Sequence, residues 1–202
     1  MADRANKVVL ILFPGAIAYE LVTAVHLLGA KFAIEVATPT GEDHIDASGL
    51  VYRAARAFAD VDPGQCAAIL VAGGGLLSIK DDAALNFLLR CADRQKAVLG
   101  AICAGPLALA QAGVLVGHRY TQAGIYPASD HCRWDGAEFC RDPVVVSDNI
   151  ITALPEAHID FGIELGKRLG VFSSEQDAER QRGFLRGNND RDWSKVGPIA
   201  PG

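Results

Sequence analysis

The chain has 202 residues, half of them hydrophobic and 21% charged, with a formal net charge of −5. Charges of both signs are interspersed, which argues against a nucleic-acid or anionic-membrane partner, and the length can bury a full core as one domain. Five cysteines, at 66, 91, 103, 132 and 140, contain no Cys-x-x-Cys and fit a reduced cytoplasmic protein better than a disulfide framework.

Residues 8–13 read as a buried strand that stops at Pro14-Gly15, too short for a secretory signal. Ile17, Leu21, Val25 and Leu28 then recur at helical spacing up to Gly29. Residues 32–37 read as a second strand, 50–52 as a short third one, and 54–59 as a short helical piece. Residues 67–72 form another apolar strand, followed by Gly73, Gly74 and Gly75. Asp81 and Asp82 open a helix suited to its dipole, with Leu85, Leu88 and Leu89 inward and an end near Arg94.

The next stretch organises the chain. Residues 97–102 are a fully apolar strand, Cys103 follows among the small residues Ala101, Ala104 and Gly105, and Pro106 suits the first turn of a helix that runs to Gly113. Strand, abrupt turn and helix with a cysteine at the turn resemble a nucleophile elbow, written Ala-x-Cys-x-Gly instead of Gly-x-Ser-x-Gly. The small neighbours let the thiol stand unobstructed above the strand. The helix N-terminus is expected to favour thiolate and lower the cysteine pKa. The plainer alternative is a packing cysteine in an Ala/Gly-rich segment. Residues 97–117 carry no charge, yet Gly100, Gly105, Pro106, Gln111, Gly113 and Gly117 interrupt them too often for a membrane span.

Residues 119–122, 144–147 and 150–153 read as further strands, the last two joined by the turn pair Asp148-Asn149. Residues 157–169 read as a helix ending at Gly170. Residues 1–172 form the α/β domain, and 173–202 a polar extension that is either a loose tail or docked through Phe184, Leu185 and Trp193. Buried strands alternating with helices indicate a mostly parallel sheet covered on both faces. Ligands in such folds bind beyond the carboxyl ends of the strands, where Cys103, the three glycines and the 14–20 turn converge.

Ala101-Ile-Cys-Ala-Gly-Pro106, Phe13-Pro-Gly15, the three glycines and Leu154-Pro-Glu-Ala157 resemble the ThiJ/PfpI superfamily, over about residues 7–170. The resemblance implies a flavodoxin-like three-layer sandwich, related to class I glutamine amidotransferases and usually homodimeric. It implies an acid from the first turn, here Glu20, that is protonated and donates to the nucleophilic Cys103. A carboxyl group in an apolar pocket beside a thiolate resists ionising, so the pairing is physically coherent. The N–H groups of Gly74, Gly75 and Ala104 would supply an oxyanion hole.

The histidines of related branches are absent. Ala123 stands where the deglycase branch carries one, Ala104 where the protease-like branch does, and Leu154 where amidotransferases do. An isocyanide hydratase-like cysteine-acid dyad needs none of them, although that branch often has threonine after the cysteine and aspartate as the acid. His158 and Tyr126 are possible substrate contacts. His131, Cys132 and Cys140 match no zinc spacing, so no metal is expected, and no cofactor. The expected activity is cysteine-dependent hydration or hydrolysis of a small electrophile. The alternatives are glyoxalase or deglycase activity on α-oxoaldehydes, and a redox sensor or chaperone without turnover.

Overall fold

The computed structural model describes residues 6–123, 134 and 136–187. Tyr126, His131, Cys132 and Trp193 lie outside the described residues. The chain begins with β1 (Lys7–Ile11), passes through β2 (Ala16–Ile17) and a 3-10 turn (Ala18–Leu21) into α1 (Val22–Leu28), and returns as β3 (Ala33–Thr38). A hairpin of β4 (His44–Ile45) and β5 (Val51–Tyr52) follows, then β6 (Arg56–Ala57), β7 (Cys66–Val71) and β8 (Gly73–Gly74). Next come α2 (Ala83–Arg94), β9 (Val98–Ile102) and α3 (Pro106–Gln111). The short strands β10 (Arg119–Tyr120) and β11 (Glu138–Phe139) lead to β12 (Val144–Ser147) and β13 (Ile150–Ala153), and the chain closes on α4 (His158–Arg168) and α5 (Glu175–Leu185).

Seven strands form the central sheet in the order β12-β13-β9-β7-β1-β3-β6. All neighbours are parallel except the β12–β13 hairpin. The inner strands are apolar on both faces because both faces are covered, as in β9, where all five residues are buried. From β1 the chain moves one way to β3; from β7 it moves the other way to β9. Right-handed crossovers therefore put α1 and α2 on opposite faces. α1 packs on α4, which also contacts β9 and β13, while α2 contacts β7, β9 and α3. The reversal between β1 and β7 opens a crevice at their carboxyl ends.

The close packing has sequence causes. A Cβ at Gly100 would lie 2.6 Å from Leu70 Cδ2 and 3.0 Å from Phe161 Cζ, so only glycine lets α4 press on β9. Asp82 accepts from the Leu85 N–H at 2.8 Å and caps α2.

One expectation needs correction, and two of the expected strands pair outside the central sheet. Residues 54–59 are helical only at their end: β6 pairs with β3 at 56–57, and the 3-10 turn Phe58–Asp60 begins within the segment. The strand at 50–52 does not join the central sheet but pairs with β4 around Asp46, whose carboxylate accepts from the N–H groups of Ser48 and Leu50. The strand expected at 119–122 is β10, which pairs in parallel with β11 outside the main sheet. The polar segment after Ser173 is docked as far as it is described. α5 sits on α4 with Ala178 fully buried beside Leu27 and Ile163. Arg182 reaches Asp160, Glu164 and Glu179, and Arg186 reaches Asp160.

Among the described residues, no helix is long and apolar enough to cross a membrane, and Cys66, Cys91, Cys103 and Cys140 are free thiols.

Candidate active site

Cys103 follows β9 with φ of 60°, a left-handed conformation that non-glycine residues seldom adopt. Neighbouring segments hold it there. Its N–H donates to the Ala153 carbonyl at 2.9 Å, and its own carbonyl accepts from the Ala123 N–H at 2.9 Å. The turn is possible because Gly105 follows: a Cβ there would lie 2.7 Å from the Val71 carbonyl oxygen and 2.9 Å from that of Ile102.

Glu20 lies on the 3-10 turn after β2 and is 1% exposed. Its Oε2 accepts from the Gly73 N–H at 2.9 Å, and its carboxyl group is hydrogen-bonded to Cys103. Burial pushes the Glu20 pKa up, against the opposing pull of those two bonds. Gly73 is the residue that makes the contact possible. A Cβ on it would lie 2.5 Å from Cys103 Cβ, 2.5 Å from Glu20 Oε2 and 2.9 Å from Cys103 Sγ. The glycine run was legible as a turn, but the use of Gly73 as a clamp on the carboxyl group was not.

The backbone N–H groups of Ala104 and Gly74 face the sulfur and favour its anion. Gly75 does not belong with them, because its N–H donates to the Gly15 carbonyl at 3.0 Å. The amide pair is therefore Gly74 and Ala104. At Gly74 φ is +112°, and a Cβ would lie 2.1 Å from the Gly15 oxygen, so the loop and the first turn interlock only through glycine.

The expected lowering of the Cys103 pKa is also corrected. Burial first, and then the neighbouring Glu20, push the thiol up to about 12. α3 is only six residues long, and its terminus does not outweigh desolvation. Each member of the pair is raised, and the anion of Glu20 is part of what holds the thiol up. Two adjacent negative charges do not coexist, so the pair holds one proton between carboxyl and sulfur over a wide pH range.

His158 opens α4, where its Nδ1 pairs with Thr23 Oγ1 at 3.0 Å and its ring meets Tyr19 edge-on at 6.4 Å. These partners flank Glu20 along the chain and place His158 beside the first turn. Ala123, pinned to the Cys103 carbonyl, occupies the position expected for a histidine and offers no base. Among the described residues, no group of three or more His, Cys, Asp or Glu side chains could hold a metal ion.

The DJ-1/PfpI family model matches residues 6–168. Among solved structures, a DJ-1 superfamily protein from Agrobacterium tumefaciens is 22% identical, with a TM-score of 0.77 over 91% of this chain and 100% of that one. Drosophila melanogaster DJ-1beta is 24% identical, with a TM-score of 0.74 over 90% and 98% of the two chains. Oxidized Toxoplasma gondii DJ-1 is 24% identical, with a TM-score of 0.73 over 90% and 98%. At these identities the likeness is one of fold. A search of curated proteins finds no match.

Proposed function

This chain belongs to the DJ-1/PfpI family, and from that premise we propose a cysteine-dependent enzyme that adds water to, or hydrolyses, a small electrophile, an isocyanide first. The observation that carries this reading is the buried Glu20 carboxyl group, held by the Gly73 N–H and hydrogen-bonded to Cys103. Their one shared proton rests on the sulfur and passes to the carboxyl group as the sulfur attacks, so the pair delivers nucleophile and acid together.

In the isocyanide case the Cys103 sulfur donates its electron pair to the terminal carbon, forming a C–S bond. The Glu20 proton goes to that carbon, leaving a thioimidate and a Glu20 carboxylate. Water then adds to the same carbon as Glu20 takes its proton. The C–S bond breaks with its electrons returning to sulfur, the remaining water hydrogen moves from the new hydroxyl to nitrogen, and a formamide leaves with Glu20 protonated again. The Gly74 and Ala104 N–H groups favour the sulfur anion at the start and end of the cycle.

Ala123 favours this order over glyoxalase chemistry, which moves a proton between carbons and needs a second base opposite the carboxyl group. A sensor without turnover is the second reading. It rests on the two amides around the sulfur, which would cradle an oxidised Cys103 beside Glu20. A homodimer is also proposed. Tyr19 and Val22 on the first turn and α1, with Ile45, Leu50 and Val51 on the β4–β5 hairpin, are each more than half exposed. An apolar groove whose lining includes Val22 and Tyr52 adjoins them. The free thiols fit a reducing, cytoplasmic setting.

The test is turnover of a panel of isocyanides and α-oxoaldehydes by the wild type and Cys103→Ser. Multiple turnover of an isocyanide, abolished in Cys103→Ser, is the expected result. Efficient conversion of methylglyoxal would instead show a base other than residue 123, His158 first. Oxidation of Cys103 at low peroxide with no turnover of any panel member would overturn the enzyme reading in favour of the sensor.

A further inference from the structure

A second concavity lies at the amino ends of the parallel strands, the edge of the sheet away from Cys103. It encloses about 490 Å³. Ala67, Val98, Phe32 and Leu169 supply apolar surface, and Lys31, Lys96 and Arg168 supply three positive charges; among the described residues its lining contains no acid. Val98 opens β9 and Cys103 follows its end, so five steps of about 3.3 Å, roughly 16 Å, separate the two places.

The cations are positioned by the fold. Lys31 Nζ donates to the carbonyls of Leu169 and Gly170 at 3.0 and 2.9 Å, which occupies two of its three hydrogens. Lys96 Nζ and Arg168 lie 2.8 and 3.6 Å from the two oxygens of Asp148, which stands behind them on the β12–β13 turn. Asp93 also reaches Lys96, more weakly, and is itself bonded to Asn149 Nδ2 at 3.1 Å. Thus one carboxylate already bridges Lys96 and Arg168. Positive charge remains in excess at this spot, on a chain whose net charge is −5.

The geometry points to a binding site for a small organic phosphate. The phosphate dianion sits among Lys31, Lys96 and Arg168 and competes with Asp148 for the last two. An apolar or aromatic body lies against Phe32, Val98 and Leu169. A dianion matches three cations better than a carboxylate does, and the guanidinium of Arg168 can bind it with two parallel N–H groups. The volume falls within the range of small-molecule pockets.

Calorimetric titration of the full chain at constant ionic strength tests this, with phenyl phosphate, inorganic phosphate and benzoate as probes. Phenyl phosphate is expected to saturate the site and bind at least ~10-fold tighter than either other probe. Lys96→Gln and Arg168→Gln should each weaken it at least ~5-fold. Asp148→Asn should tighten it at least ~3-fold, because the competing carboxylate is gone. Residue 148 has φ of 52°, which asparagine tolerates well, so this variant keeps the turn. A gain in affinity cannot come from damage to the fold. Saturating phenyl phosphate should leave the Cys103 alkylation rate unchanged. The proposal is overturned by absence of saturable binding up to ~10 mM, by failure of Asp148→Asn to tighten it, or by equal affinity for inorganic phosphate. Protection of Cys103 by phenyl phosphate would also overturn it, by placing the ligand at the other edge.

Discussion

Glu20→Gln should make Cys103 more reactive and the protein less active. Burial and the adjacent Glu20 together push the thiol up to about 12. Glutamine removes the charge but keeps the shape. The Gly73 N–H, 2.9 Å from Oε2 in the wild type, needs an oxygen acceptor, which orients the new NH2 group toward sulfur. Two unit charges ~4 Å apart repel by about 4 kcal/mol at an effective dielectric of ~20. Taking about two thirds of that as relieved, ~2.7 kcal/mol, the thiolate population at a fixed pH rises ~100-fold. Turnover nevertheless falls ~100-fold, because no group at position 20 can then give and retrieve a proton. The assay is iodoacetamide alkylation of Cys103 across pH 7–10 by mass mapping, run beside turnover on the same preparations. Alkylation of the variant that is equal to or slower than wild type at every pH would refute the electrostatic reasoning. Unchanged turnover would refute the proton transfer.

The same carboxyl group should shape stability. Its folded pKa is raised, so the folded state holds this proton more tightly than the unfolded chain does, and stability falls as pH rises from the ordinary carboxylate range through the raised value. Thermal melts of wild type and Glu20→Gln should therefore coincide most closely near pH 4 and diverge above it, the variant melting higher; parallel curves would contradict the assignment. Gly73→Ala should cost ~1–3 kcal/mol in urea unfolding and abolish turnover, because the new Cβ meets both Cys103 and Glu20 at 2.5 Å. Gly75→Ala, at φ −82° with nothing within 4 Å of the added atom, should stay within ~0.5 kcal/mol of wild type. Arg182→Met should loosen α5 by ~1 kcal/mol at low salt and less at 1 M, since it leaves Asp160, Glu164 and Glu179 without their shared partner; equal losses at both salt concentrations would argue for packing instead.

The elbow was legible because three signals coincide: an apolar run, a cysteine among small residues, and a proline at the first helical position. The alternating strands and helices were legible for the same reason, since strands covered on both faces are continuously apolar. Residues 54–59 misled because an alanine-rich stretch favours helix locally, while pairing with β3 decides its conformation. The 50–52 strand was found but its partner was not, since pairing in a two-residue hairpin is set by the Asp46 side chain and leaves no periodic trace. Glu20 carries no pattern of its own on a single 3-10 turn, and only the resemblance singled it out. The direction of the Cys103 pKa was missed because a helix terminus can be read from a sequence, whereas desolvation depends on everything packed around the sulfur.

The two backbone hydrogen bonds of Cys103, to Ala153 and from Ala123, have a consequence in time. They tie the turn to the buried last residue of β13 and to Ala123, so it opens only when that end of the sheet opens. Its amide should exchange hydrogen with solvent as slowly as those of β9 itself, near the limit set by global unfolding. Reagents then meet the sulfur in the closed, native arrangement. Labelling rates report the chemistry of the folded site, not the frequency of a local excursion.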